Sequence, residues 1–224
     1  MKLQNKKTIK AVIWDLDGTI LDTTELILGS YRYSFRKVLD RDIADEEALG
    51  NFGITLKDIM TGYSPEKAGE LIEAYREYNH AHHDELVSVF PGILDALANI
   101  HRRGFPQAVV TSKTEWLTCH GLELFGLDGF IDTIVGFEST EIHKPNPEPL
   151  LEALKKLEIE ADEAIFIGDS RADVECAISA EVAFVAAMWG PNPVFMAECH
   201  AWRRIEDPRD LLLILPRKGP KKII

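Results

Sequence analysis

"IKAVIWDLDGTILDT", residues 9–23, is the stretch whose reading decides the fold. Its apolar run 11–14 has the length and make-up of a buried strand, yet it ends in Asp15 and Asp17, with Asp22 shortly after. Side chains alternate faces along an extended chain, so Asp15 and Asp17 project the same way where the strand runs out. Gly18 behind them permits a sharp turn. Two carboxylates held this close repel unless a cation, a proton or a reaction requires them. An EF-hand loop is excluded, because no register supplies both Gly at the sixth position and Glu at the twelfth.

Similar apolar runs recur at 107–111 ("QAVVT"), 133–136 ("TIVG"), 164–168 ("AIFIG") and 182–187 ("VAFVAA"). Segments with helical spacing lie between most of them, at 92–103, 115–124, 148–157 and 173–180. Strands alternating with helices predict an α/β fold, a Rossmann-like doubly wound parallel sheet covered on both faces. In such sheets ligands gather beyond the C-terminal ends of the strands. Residues 24–88 break the alternation, with helical patterns at 25–39 and 64–86 and no convincing strand. Ser64 followed by Pro65 suits an N-cap with proline at the first helical position. The expectation is an all-helical cap, residues 23–87, inserted into an α/β core formed by 1–22 and 88–224, with linkers near 22–24 and 87–91.

A chain of 224 residues with 46% hydrophobic content can bury a full core, and a formal net charge of -12 argues against a nucleic-acid partner. The basic tail "RKGPKKII", 217–224, reads as a solvated end. Cys119, Cys176 and Cys199 are widely spaced and form no metal or disulfide pattern, which fits a reducing cytoplasm. The start "MKLQNKK" is basic, but the apolar stretch after it is too short for a signal-peptide core or a membrane span. A cytoplasmic protein with no membrane partner is expected, and its oligomeric state is left open.

Three further strand ends carry polar groups. In "IFIGDSRADVE", 165–175, Asp169 follows a strand and could face the first carboxylate pair, with Asp173 four residues on. An Asp cluster without His or Cys suits a hard cation, Mg2+ by default where a phosphate supplies further ligands. Alternatively, Asp169 or Ser170 simply caps a helix beginning near Arg171. In "VVTSK", 109–113, Thr111 and Ser112 stand before a helix, where hydroxyls and backbone N–H groups bind anions. Lys144 lies in "IHKPNPEP", 142–149, a proline-stiffened loop where a lysine taken alone is a solvated one.

In chain order these elements read Asp-x-Asp-Gly-Thr, then Thr, then Lys-Pro, then Gly-Asp-Ser-x-x-x-Asp. The set resembles the haloacid dehalogenase superfamily of phosphatases. "HKPNPEPLLEAL", 143–154, and "GDSRAD", 168–173, look like its phosphoglycolate phosphatase branch, and "YREYNHAHHDELV", 75–87, resembles the related bacterial pyrophosphatases. The resemblance implies Asp15 as the nucleophile that takes the phosphoryl group and Asp17 as the acid, then base. Mg2+ would be held by Asp15, the Asp17 carbonyl and Asp169, with Asp173 as an additional or outer-shell partner. Thr111 and Lys144 would grip phosphoryl oxygens, assisted by N–H groups near Gly18 and Ser112. Thr19 would stabilise the turn after Asp17. In the family the loop "GNFG", 50–53, can reach the active site, which makes Asn51 and Phe52 candidates for substrate selection.

The implied reaction is hydrolysis of a small phosphate monoester, 2-phosphoglycolate-like, through an aspartyl-phosphate. Alternatives are an inorganic pyrophosphatase of the same superfamily, a sugar phosphomutase and, from another class, a phosphorylated-Asp receiver module. A haloalkanoate dehalogenase fits less well, since Asp17 and the Asp169/Asp173 pair serve phosphoryl chemistry. Two departures from the family stand out. Trp14 replaces a common Phe, and Glu181 stands where a helix-ending Gly is usual, so the helix is expected to end differently. His80, His82 and His83 beside Asp84 invite a zinc reading, but no third ligand is visible in sequence, and cap-surface or hinge packing is expected.

Overall fold

In the computed structural model, which describes residues 8–216, the run that opens the sequence forms strand β1 (Ala11–Trp14) and enters the middle of a sheet. The basic stretches at 1–7 and 217–224 lie outside the described residues. After β1 come β2 (Leu21–Asp22), α1 (Thr24–Leu39), α2 (Asp45–Leu49), α3 (Leu56–Tyr63), α4 (Ala68–Leu86) and β3 (Ser88–Val89). The chain continues through α5 (Ile93–Arg102), β4 (Gln107–Val110), α6 (Glu115–Leu124), β5 (Thr133–Val135), α7 (Glu148–Leu157) and β6 (Ala164–Gly168). It closes with α8 (Arg171–Ser179), β7 (Ala183–Ala187), α9 (Pro193–Glu198), β8 (Arg203–Ile205) and α10 (Leu211–Ile214).

The six-stranded sheet has the order β5-β4-β1-β6-β7-β8, and each neighbouring pair is parallel. Alternation along the strands feeds two cores. Val12, Trp14, Val109 and Ile167 pack with Leu97 and Ile100 of α5 on one face. Ile13, Val110 and Phe166 pack with Leu150 of α7 and Ala177 of α8 on the other. Each such side chain contributes about 1.5–3 kcal/mol by leaving water. The strand order reverses direction beside β1, so the ends of β4, β1 and β6 open into one crevice. Trp14 is fully buried, and its indole N–H donates to Gln107 Oε1 at 3.1 Å, which removes the penalty of an unpaired donor.

Helices α1 to α4 bury their own cluster, with Tyr31, Phe35, Met60 and Leu71 at its centre. Both chain crossings to the sheet run through one antiparallel ribbon, in which Leu21 pairs with Val89 and Asp22 with Ser88. Asp22 Oδ1 accepts from the N–H of Thr24 at 3.1 Å and so braces the entry to α1.

Two expectations are corrected. The helix expected from Ser64 begins at Ala68, because the Ser64 N–H donates back to Met60 O and terminates α3 instead. Glu181 does not force a different ending on α8, since it adopts the left-handed conformation itself, with φ 58°. The Glu181 N–H donates to Ile178 O at 3.2 Å and the Val182 N–H to Ala177 O at 3.0 Å, the paired bonds of a Schellman closure. β8, α9 and α10 went unanticipated from sequence. β8 shows exposed Arg203 and Arg204, and the two helices are only 6 and 4 residues long.

Candidate active site

β1 delivers Asp15 into the crevice with 4% exposure, and the Asp15 N–H donates to Ile167 O of β6 at 2.8 Å. Lys144, expected to be solvated when read alone, is buried. Its Nζ donates to Asp15 Oδ1 at 2.6 Å and Asp173 Oδ1 at 2.7 Å. Burial works against the Lys144 ammonium, but Asp15 and Asp173 together raise it above its ordinary range, so its charge is retained.

The remaining oxygens divide the carboxylates into two kinds. Asp173 Oδ2 accepts from the N–H and hydroxyl of Ser170, at 3.0 and 2.6 Å, in a capping box at the start of α8. Ser170, not Asp169, therefore caps this helix. Asp169 is fully buried; its Oδ1 accepts from Thr19 Oγ1 at 3.0 Å, while Oδ2 has no partner. Thr19 thus anchors Asp169 as well as shaping the turn after Asp17. Burial, then Asp15 and Asp173, hold the Asp169 carboxyl well above the usual range. Burial and Asp173 push Asp15 up to about 8 despite Lys144.

Carboxylate oxygens of Asp15, Asp169 and Asp173 lie within 4.8 Å of one another. An all-oxygen donor set with an orphaned buried oxygen fits a hard divalent cation. Asp15 and Asp169 have the free capacity. Asp173 is already bonded by Lys144 and Ser170.

Gly18 is corrected in one respect. Its N–H is taken by Leu21 O at 2.8 Å, so it offers no donor to an anion. With φ 85°, its backbone instead lies so close to Asp169 that a Cβ would collide with that carboxylate. Gly190 closes the opposite side, where a Cβ would sit 2.6 Å from both Asp169 Cβ and Gly18 O.

The cavity opens between this centre and α1–α4. Asp15, Asp17, Thr111, Ser112 and Lys144 line it from the sheet side, and Asn51 and Phe52 from the helical side. Thr111 is buried, and its Oγ1 accepts from the Lys113 N–H at 3.2 Å. Ser112 Oγ donates to Gly53 O at 2.8 Å, fastening the 50–53 loop to the sheet edge. Gly53 has φ 84°, and any Cβ there would strike Ser170 Oγ. Asn51 Nδ2 bonds within the helical segment, to Glu47 O and Tyr63 Oη, both at 3.1 Å. Sequence reading missed Lys113, whose Nζ donates to Asp17 Oδ1 at 2.7 Å, and the cavity cations Lys57 and Arg76. Lys113 stood in the quoted stretch 109–113, but its partner lies 96 residues away.

A buried lysine clamped between carboxylates, beside an orphaned carboxylate oxygen at the switch point of a doubly wound sheet, defines a phosphoric ester hydrolase. The chain belongs to the haloacid dehalogenase-like hydrolases, whose family pattern matches residues 12–187, from β1 to the end of β7. It is 39% identical over 166 residues to Pyrophosphatase PpaX of Halalkalibacterium halodurans, covering 74% of this chain and 77% of that one. It is 34% identical over 208 residues to Pyrophosphatase PpaX of Bacillus anthracis, covering 92% and 96%. A haloacid dehalogenase-like family hydrolase of Streptococcus pneumoniae shares the fold, with a TM-score of 0.81 at 24% identity over 92% of this chain and 97% of that one. Among the described residues no helix is long and apolar enough to cross a membrane.

Proposed function

We propose that the protein is a Mg2+-dependent hydrolase of inorganic pyrophosphate, working through an aspartyl-phosphate on Asp15, with residues 23–87 as a cap over a core of 1–22 and 88–224. The observation that carries this reading is the charge of the cavity. Beyond Lys144, which pairs with Asp15 and Asp173, and Lys113, which pairs with Asp17, it is lined by Lys57 and Arg76 from the cap, two further cations for a second phosphoryl group. The names of the relatives point the same way. 2-Phosphoglycolate is the second reading, because its carboxylate would satisfy the same distal cations.

The chain's residues divide the work. Asp15 attacks the phosphorus, and the bond to the leaving oxygen breaks as Asp17 delivers its proton. Asp17 then takes a proton from water, which attacks the phosphoryl group and frees phosphate and Asp15. Lys144 and Thr111 hold the equatorial oxygens where charge gathers. Asp169 and Asp15, with the Asp17 carbonyl, would hold Mg2+, which supplies charge neutralisation that lets one anion approach another.

Steady-state phosphate release with Mg2+, compared across pyrophosphate, 2-phosphoglycolate and nucleoside monophosphates, tests the reading. The highest kcat/KM is expected for pyrophosphate, and labelled solvent oxygen is expected in the product. An Asp15→Asn protein that still turns over would sink the mechanism. Preference for 2-phosphoglycolate would select the second reading.

A further inference from the structure

A second cluster of ligating side chains lies outside this centre, where the end of α4 meets α6. Asp84 Oδ1 accepts from two imidazoles at once, His83 Nδ1 at 2.9 Å and His120 Nε2 at 2.7 Å. One ligand atom from each of the three residues lies within 4.8 Å of the others. His120 is the third ligand that the sequence did not show, 36 residues beyond Asp84. The other two histidines stand apart. His80 packs edge-on against Trp116, and His82 pairs with Glu85 at 3.4 Å.

We propose that His83, Asp84 and His120 form a transition-metal site, suited to Zn2+, that ties the cap helix α4 to the core helix α6. Two nitrogens and one carboxylate oxygen are the donor set of an open zinc site with a water in the fourth position. That set differs from the all-oxygen centre at Asp15 and selects a different ion.

The surroundings are those of a ligand site. His83 is 2% exposed, which favours the neutral imidazole that metals bind, while His120 is half-buried and Asp84 is exposed, which gives an entry path. Trp116 stacks on His120 with ring planes 8° apart and fixes its orientation. Tetrahedral ligands at about 2.0–2.1 Å from zinc stand about 3.3 Å from each other. The separations of 2.9 and 2.7 Å across Asp84 reach this by opening about half an ångström.

Equilibrium dialysis of the full chain against Zn2+, in excess Mg2+ and without substrate, tests the site. One Zn2+ retained per chain is expected. His120→Ala and Asp84→Asn, which alter a half-buried and an exposed position, should each weaken retention by at least about 100-fold, since loss of even a supporting partner costs a metal site up to that much. Co2+ substituted for Zn2+ should give the visible bands of a nitrogen- and oxygen-ligated tetrahedral ion, absent in His120→Ala. Asp15→Asn should bind Zn2+ as the wild type does, which separates this site from the proposed hydrolysis. Phosphate release without Zn2+ should be unchanged in His120→Ala. No Zn2+ retained under excess Mg2+, or equal retention by wild type and His120→Ala, overturns the proposal.

Discussion

Lys144 shows how far a residue's surroundings can depart from its local sequence. A lysine ahead of two prolines looks like a loop cation, yet here it bridges Asp15 and Asp173 in the interior. Lys144→Met should lower stability by about 3–5 kcal/mol, because it leaves buried carboxylates uncompensated. Mg2+ should restore part of that loss, read as a rise in Tm. The same cluster sets a pH dependence in metal-free protein. Asp15 is raised to about 8, so the native state holds its proton more tightly than the unfolded chain does. Its contribution is fully present below the ordinary carboxylate value near 4 and is lost as pH rises toward 8. Tm measured with EDTA should therefore fall over this window, and saturating Mg2+ should flatten the slope. Glu181→Gly should stabilise the protein by about 1 kcal/mol in chemical denaturation, since the left-handed position penalises any side chain. Asp15, Asp17 and Asp169 were legible because each falls at or just past the end of an apolar strand, and Asp173 because it follows Asp169 by four residues. Lys113 and His120 were not, because each acquires its meaning from a partner brought near only by folding.

Among the elements, the central strands were readable because burial on both faces leaves a near-continuous apolar run. β1, β6, α6 and α7 fall where the pattern puts them. β2 and β3 were not, for two residues apiece carry no periodicity. The 50–53 loop shows its placement only in context. Its glycine meets Ser170 at the start of α8, and its carbonyl meets Ser112 beyond β4. Gly53→Ala should unseat this loop, adding about 1–2 kcal/mol of backbone strain to the collision. A raised KM with Asp15 chemistry intact, seen in single-turnover kinetics, is the expected result.

For the whole molecule, charge and shape divide between the layers. The sheet supplies the carboxylates and Lys144, and the helical layer adds Lys57 and Arg76 across the cavity. The net charge of -12 hides this local excess of cations, which composition could not reveal. The paired crossing at Leu21 and Val89 has a consequence for inheritance. A segment that leaves and returns on adjacent rungs is a cassette: it can be exchanged or removed without re-threading the sheet. Replacing residues 23–87 with an Asn-Gly turn should leave a folded catalytic layer by circular dichroism. Such a protein should still cleave an activated aryl phosphate while losing the proposed preference for pyrophosphate. If the proposed division of labour holds, one contiguous stretch of gene carries the choice of substrate, and its exchange leaves Asp15 and its partners in place.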